Sequence, residues 1–555
     1  MHLIDFATRL FSFRYSAPHK WHFSTTWVAT VAVWAVATIS PAAMIPAGVQ
    51  LHVKQEMTRN IGAEPETLDP ALVESVGAYE IASDLFEGLT ATTTAGEIVP
   101  GVAQSWKQTD PVTWVFTLRG NAKFSNGDPV AADDFVYAWR RFLDPKTASH
   151  NATTYASFLL NGLKINEGKA PVTDLGVRSL DKYTLEVKTT GPVNFLPELL
   201  TAPQLAPVSK KVIEKHGKDW TKPGNLVGNG AYLLADWRVN NKVVVEKNPK
   251  YWDAAAVIIT KVTYLGIEDG NADVKLFQSG ENDWVDQLPP GSYESFKRTH
   301  PKEVKNGPML GLRYYTLNFK DPLMQDIRVR KALSMVIDRD ILSNRVTADG
   351  QPPLYGLVVQ GLHGADMARY EWADWPMEKK VNEARKLLAD AGVKPGTRIR
   401  FTYNTSEYHK KMSIFAASEW KTKLGLETEL DSLEFKVLIR KRHDGDYQIA
   451  RAGVVASYND VTSILGIVQC DADFNDSKNC NRAAEKLIVE GKNQTDQAKR
   501  RALLSQAIKL IMDEYPIIPL LQYSQPRLVK SYVGGYYESN VKSNFRSKDL
   551  YIIRH

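Results

Sequence analysis

Cysteine is nearly absent from this chain. Cys470 and Cys480 are the only two in 555 residues, with no CxxC pair and no Cys/His cluster. That excludes zinc ribbons, iron–sulfur sites and dense disulfide scaffolds. Charge of one sign is also scarce: 69 Lys and Arg face 63 Asp and Glu, a net of +6. Over this length that is too weak to argue for a nucleic-acid partner. No segment reaches the ~18 consecutive apolar residues of a membrane-spanning helix. The short catalytic motifs are missing too, with no GxxxxGK(S/T) phosphate loop, no GxSxG elbow and no HExxH helix. Gly228-Asn-Gly230 lacks the third glycine of a dinucleotide fingerprint and reads as a tight turn before a strand at Tyr232–Leu234. His409 and His443 have no Ser or Cys in a triad-like setting. The sequence therefore carries no positive sign of an enzyme, a metal centre or a cofactor.

Ordinary globular material is what remains: 43% hydrophobic and 24% charged residues, with 23 Tyr and 13 Trp. The length suits about three domains at ~100–200 residues each. The first 26 residues set Arg9, Arg14 and Lys20 against Asp5, and the apolar run Trp27–Ile39 and then Ser40-Pro41-Ala42-Ala43 follow. As a helix that run spans only ~20 Å, short of a ~30 Å hydrocarbon core. A basic lead, a short apolar stretch and small residues predict a secretory signal peptide over 1–42, with a retained anchor or a displaced start as the alternatives. No cysteine follows the cleavage position, so a lipid anchor is not expected, and a Gram-negative periplasm fits a soluble exported chain. Cys470 and Cys480 bound a polar segment, CDADFNDSKNC, that reads as a surface loop. In an oxidising compartment they either close a small disulfide loop or remain two thiols.

Trp114–Arg119 alternates as a half-buried strand does, and Asn126-Gly127 reads as a turn. Phe135, Val136, Trp139, Phe142 and Leu143 share one face of a helix opened by Asp133 and Asp134. A second apolar face combines Val329, Ala332, Leu333, Val336 and Ile337. Helices are then expected over Lys379–Ala391 (stopped by Gly392), Glu407–Lys423 and Leu433–Arg442. Strands are expected at Arg398–Tyr403, Leu426–Leu430 and Tyr447–Ala452. This alternation predicts an α/β domain with a largely parallel sheet. Residues 87–205 have more strand and turn character, and no linker separates the parts.

Several segments in order then become recognisable: Leu68-Asp69-Pro70, Asp84–Leu89, Pro100–Trp106, Trp114–Arg119, Asn126-Gly127 and Asp134–Tyr137. After them come Asn229–Tyr232, Arg328-Val-Arg330 with Asp338-Arg339, Tyr403–Ser406, Arg527–Val529 and Val533–Tyr536. From about Ala43 to His555 the chain resembles the extracellular solute-binding proteins of family 5. The resemblance implies an α/β, class II periplasmic-binding-protein fold of two main lobes and an additional third domain, with the ligand enclosed at the hinge. Lobe I would comprise 43–86, 210–310 and 527–555, lobe II 87–209, and lobe III 311–526. It implies a monomeric periplasmic receptor that needs no cofactor. The receptor holds an oligopeptide or peptide-like solute in extended form and passes it to the membrane permease subunits of an ABC importer with cytoplasmic ATPases.

Position by position, the resemblance gives Glu74, with Ser75 and Val76, as an acidic pocket residue beside a peptide-pairing segment. Arg451, Gly453 and Val455 match a second pairing strand, and His409, Phe435 and Arg442 match pocket or carboxylate contacts. Ser457 is a departure, because it stands where the family has an aspartate that meets the ligand α-amine. Losing such a countercharge costs about 3–5 kcal/mol if the ammonium is still buried there. Either Asp460 or Glu74 substitutes, or the ligand is an amine-free solute such as an opine, a glycan or a modified cell-wall peptide. The family's long-range disulfide is also missing, its positions falling on Gly311 and Val455. A hydrolase using the same cleft is the remaining, weaker reading.

Overall fold

The expected helix beginning near Asp133 runs from Ala132 to Leu143, and its first turn shows why it starts there. Asp134 folds back so that its carboxylate accepts the Ala131 N–H at 2.8 Å, and Asp133 and Asp134 sit at the positive end of the helix dipole. Phe135, Val136, Trp139, Phe142 and Leu143 are all buried, as their spacing requires. These facts come from a computed structural model that describes residues 45–555 except 150, 287, 290, 434, 471, 473 and 539. The side chains of Glu407, Phe435 and Lys436 are likewise not described. The leader expected over 1–42 lies outside the described residues.

Three larger sheets organise the described residues. The first has seven strands, in the order Val304–Lys305, Arg527–Val529, Trp284–Val285, Glu56–Asn60, Lys261–Leu265, Lys242–Lys247 and Tyr232–Arg238. Glu56–Asn60 runs parallel to both of its neighbours, and the other pairings are antiparallel. The second is a four-stranded antiparallel sheet, Ala103–Asp110, Thr113–Leu118, Thr184–Lys188 and Val177–Asp181. The third has five strands, in the order Glu427–Leu433, Arg398–Asn404, Ile449–Val455, Pro308–Leu317 and Ile517–Ser524.

The third sheet is less parallel than its sequence suggests. Arg398–Asn404 is parallel to both neighbours, because helices Glu407–Leu424 and Phe435–Asp444 carry the chain back between strands. Pro308–Leu317 and Ile517–Ser524 then enter from outside that α/β stretch and pair antiparallel. The expected helix before Gly392 spans Met377–Asp390, and Gly392 itself adopts φ +74°, the left-handed conformation that ends a helix cheaply.

Two large apolar cores support these sheets among the described residues. One packs Phe135, Trp139, Leu185, Val262 and Tyr264 beneath the seven- and four-stranded sheets. The other packs Leu317, Leu333, Phe401, Trp420 and Ile508 around the five-stranded sheet. A fully buried ion pair, Arg59 Nη2 to Glu80 Oε2 at 2.7 Å, ties strand Glu56–Asn60 to helix Val76–Leu85. Among the described residues no helix is long and apolar enough to cross a membrane.

The segment between the cysteines differs from its expected place on the surface. Cys470 and Cys480 are joined as a disulfide, and Asn475, Asp476, Ser477 and Asn479 within the loop are buried. Asn475 and Ser477 survive burial here because their side chains find partners in and beside the loop. Asn475 Nδ2 donates to the carbonyls of Gln469 and Asn479, and the Ser477 hydroxyl donates to Asn475 Oδ1. Phe474 is exposed.

Candidate functional site

Strand Ile449–Val455 is paired unequally on its two sides. Toward Pro308–Leu317 the ladder is complete, from Leu317 opposite Ile449 to Gly311 opposite Val455. Toward Arg398–Asn404 it contains only Phe401 with Ile449 and Thr402 with Ala450. From Arg451 to Val455, one edge therefore lies outside the ladder, and such an edge is a template for another extended chain. Part of it is already used, since Arg442 Nη1 donates to the Arg451 carbonyl at 3.0 Å.

Glu74, Ser75 and Val76 lie opposite, at the start of helix Val76–Leu85. Ser75 caps that helix by accepting the Ala78 N–H. The Glu66 carboxylate takes the N–H groups of Glu74 (2.6 Å) and Ser75 (3.1 Å) and the Ser75 hydroxyl. Burial opposes ionisation of Glu66, but these hydrogen bonds outweigh it and hold the carboxyl below its ordinary range. The donors at Glu74 and Ser75 are therefore spent internally. What this segment turns to the cleft is the exposed Val76 side chain, 68% accessible, and the Glu74 carboxylate.

A cavity of about 380 Å³ joins the two sides, lined by Glu74, Val76, Glu198, Val455, Ser457 and Lys542 among others. Ser457 is exposed on its wall. Glu198 pairs with Lys542 and also accepts the Asn459 N–H at 2.6 Å. Burial lowers the Lys542 ammonium's pKa, although Glu198 opposes the shift. Asp460 does not stand in for an aspartate at 457. Its carboxylate is held by both terminal nitrogens of Arg500, at 2.7 and 2.8 Å, and by Thr462. Both Asp460 and Arg500 are buried, so this pair is an internal strut.

The remaining expected residues gather on the five-stranded sheet. Arg451 Nη2 meets His409 Nε2 at 2.7 Å, so the imidazole accepts from a guanidinium. Burial, then the cations Arg451 and Arg313, push the His409 pKa down to about 2, and the ring is neutral at physiological pH. Burial brings Arg451 down to about 10, with Tyr523 opposing the shift and the cations Arg313 and Arg442 adding to it. Arg442 is paired through Nε with Asp476 Oδ2 at 3.0 Å, so it links the disulfide loop to the strand carrying Arg451. Gly453 makes room for a close approach, since a Cβ there would stand 2.3 Å from the Tyr523 hydroxyl. Gly311 and Val455, the positions of the absent disulfide, face each other across the antiparallel pair. Phe435 begins helix Phe435–Asp444, and its side chain lies outside the described residues.

Sequence reasoning missed Glu66, Glu198 and Lys542, which are distant in sequence from the segments they hold. It also missed Arg313 and Tyr523. The available signal was Arg313 itself, a lone charge inside the apolar strand run Leu310-Gly-Leu-Arg-Tyr-Tyr.

Comparison with known proteins adds independent findings. The profile of the bacterial extracellular solute-binding proteins, family 5 Middle, matches residues 97–476. The periplasmic oligopeptide-binding protein OppA of Escherichia coli K12 is 42% identical over 526 residues, covering 93% of this chain and 96% of that protein. The solved OppA of Burkholderia pseudomallei is 45% identical, with a TM-score of 0.78, over 91% of this chain and 100% of that one. The periplasmic murein tripeptide binding protein MppA, in an unliganded open form, is 37% identical with a TM-score of 0.82, over 92% and 99%.

Proposed function

Because this chain belongs to the bacterial extracellular solute-binding proteins of family 5, we propose that it is the periplasmic peptide-binding component of an ABC importer. It has the family's class II periplasmic-binding-protein fold, built from mixed α/β sheets. The ligand is an oligopeptide or peptide-like solute, and the partners are the permease subunits that receive it. The observation that carries the reading is the edge Arg451–Val455, outside the ladder and ending at Val455 on a cavity lined also by Glu74 and Val76.

The physics follows from that edge. An extended peptide laid along it makes main-chain hydrogen bonds whatever its sequence, each contributing about 1 kcal/mol net. Arg451, braced by His409, supplies a fixed cation for a ligand carboxylate, and a guanidinium fork suits a carboxylate geometrically. The three lobes would follow the three sheets: 43–86, 210–310 and 527–555 with the seven-stranded sheet, 87–209 with the four-stranded sheet, and 311–526 with the five-stranded sheet. The protein acts as a receptor and not as an enzyme, a reading supported by relatives named as binding proteins. Periplasmic placement is supported by those relatives and by the leader-like sequence over 1–42.

A second reading rests on Ser457. The site offers no aspartate there, and Asp460 is committed to Arg500, so a solute without a free α-amine would lose little. Calorimetric titration with di- to pentapeptides, each with a free and an N-acetylated terminus, tests both readings. Tighter binding of free peptides supports amine recognition, and equal or better binding of acetylated ones supports the second reading. No binding by either set overturns peptide capture.

A further inference from the structure

Residues directly opposite in an antiparallel pair share a face, and so do alternate residues along a strand. Arg313 lies opposite Gly453, so Arg313, Arg451, Gly453 and Val455 share one face, and Val455 lines the cavity. Gly453 leaves a gap in that face, and the Tyr523 hydroxyl fills it. The Arg313 guanidinium packs on the Tyr523 ring, 4.1 Å from its centroid, and on the Tyr408 ring at 4.6 Å. Two ring faces fix the orientation of a guanidinium without occupying its in-plane donors.

Those donors are largely uncommitted. Arg313 Nε donates to Gln351 Oε1 at 2.8 Å, and the residue forms no ion pair among the described residues. The nearby acid Asp349 is one residue removed, its carboxylate accepting from Gln351 Nε2 (2.7 Å) and the Tyr408 hydroxyl (2.8 Å). Neither terminal nitrogen of Arg313 is a buried orphan, and both Arg313 and Tyr523 are half-buried. The Tyr523 hydroxyl makes no hydrogen bond among the described residues. Arg442, by contrast, is already paired with Asp476.

We infer that Arg313 and the Tyr523 hydroxyl form a side-chain subsite for an acidic residue of the bound peptide, separate from the contact Arg451 offers a terminal carboxylate. A peptide strand beside Arg451–Val455 places alternate side chains on this face. The side chain crossing Gly453 meets the Tyr523 hydroxyl as floor and the Arg313 fork as wall. A carboxylate accepts from both, and its isosteric amide presents an N–H₂ group to donors it cannot satisfy. The inference rests on the peptide-binding reading above.

The test is calorimetric titration with alanine tripeptides carrying one Glu or one Gln at each position. In the wild-type chain one position should show Glu binding ~10-fold or more tighter than Gln, the scale of one charge-assisted hydrogen bond. Arg313→Gln should abolish that ratio, and a cooperative thermal unfolding transition shows that the variant is folded. Arg313→Lys should keep part of it, and Tyr523→Phe should reduce it ~3-fold. Equal Glu and Gln affinities at every position, or a ratio that survives Arg313→Gln, overturn the inference and leave peptide capture standing. Failure of every peptide to bind the wild-type chain overturns the peptide reading itself.

Discussion

The two ends of the cleft are built differently. At the basic end Arg313, His409, Arg442 and Arg451 hang on or against one five-stranded sheet, and strand register sets where Arg313 and Arg451 stand. At the other end Glu74, Glu198, Ser457 and Lys542 come from segments distant in sequence and outside the sheets, bridged by Glu198, which pairs with Lys542 and accepts the Asn459 N–H. Strand register fixes relative side-chain positions through a whole ladder of hydrogen bonds, whereas links between segments depend on a few side-chain contacts. Under the peptide-binding reading proposed above, the basic end is the one that strand register preorganises for a carboxylate.

Asp460→Asn breaks this comparison most severely. It leaves buried Arg500 without its countercharge and should cost about 3–5 kcal/mol in denaturant unfolding. If stability were unchanged and only affinity for free-amine peptides fell, Asp460 would belong to the ligand site, and its description as a strut would be wrong. Replacing both Cys470 and Cys480 by serine sharpens the basic end. Freeing a loop of sequence separation 10 should lower stability by about 2–3 kcal/mol. It should also weaken acidic-peptide binding, because Asp476 in that loop positions Arg442. Affinity that stays constant would separate the loop from the site.

The smallest effect at neutral pH concerns His409. Its folded pKa, about 2, lies below the ordinary 6.5, so both states are neutral above 6.5. Below that pH the unfolded chain takes up a proton that the folded chain refuses. Stability then falls with falling pH by up to ~1.4 kcal/mol per unit until about pH 2. His409→Asn should flatten this acid limb in chemical unfolding at pH 4 to 6 and leave stability at pH 7.5 nearly unchanged. A limb of unaltered slope would mean that the ring is protonated in the folded protein.

Much of the framework is readable along the chain. Helix Ala132–Leu143 follows from a face of apolar residues behind two aspartates, and the strands of 398–455 follow from short apolar runs between helices. The stop at Gly392 follows from a backbone conformation that glycine adopts at little cost. These are local facts, set by periodicity and capping over a few residues. The antiparallel pairing of Pro308–Leu317 and Ile517–Ser524 in the third sheet was not legible, because the partners are some two hundred residues apart. The burial of Asn475, Asp476 and Ser477 was misread for a related reason. Polar composition signals solvent only when the hydrogen-bond partners are unknown, and here they lie within the same loop and at Tyr447.

The site divides along the same line. Arg451, Gly453 and Ser457 could be picked out by their place in a recognisable segment, and the structure gathers Arg451 with His409 and Arg442. No local pattern could show that Asp460 is spent on Arg500 or that Glu66 consumes the donors of Glu74 and Ser75. The sequence by itself determined the elements, the family and the kinds of charge available, because propensity, periodicity and motif order act over short stretches. Only the tertiary structure decided which charges are neutralised and which face the cleft. That depends on pairwise distances between segments that chain order does not encode, and electrostatic energy is set by those distances and by burial.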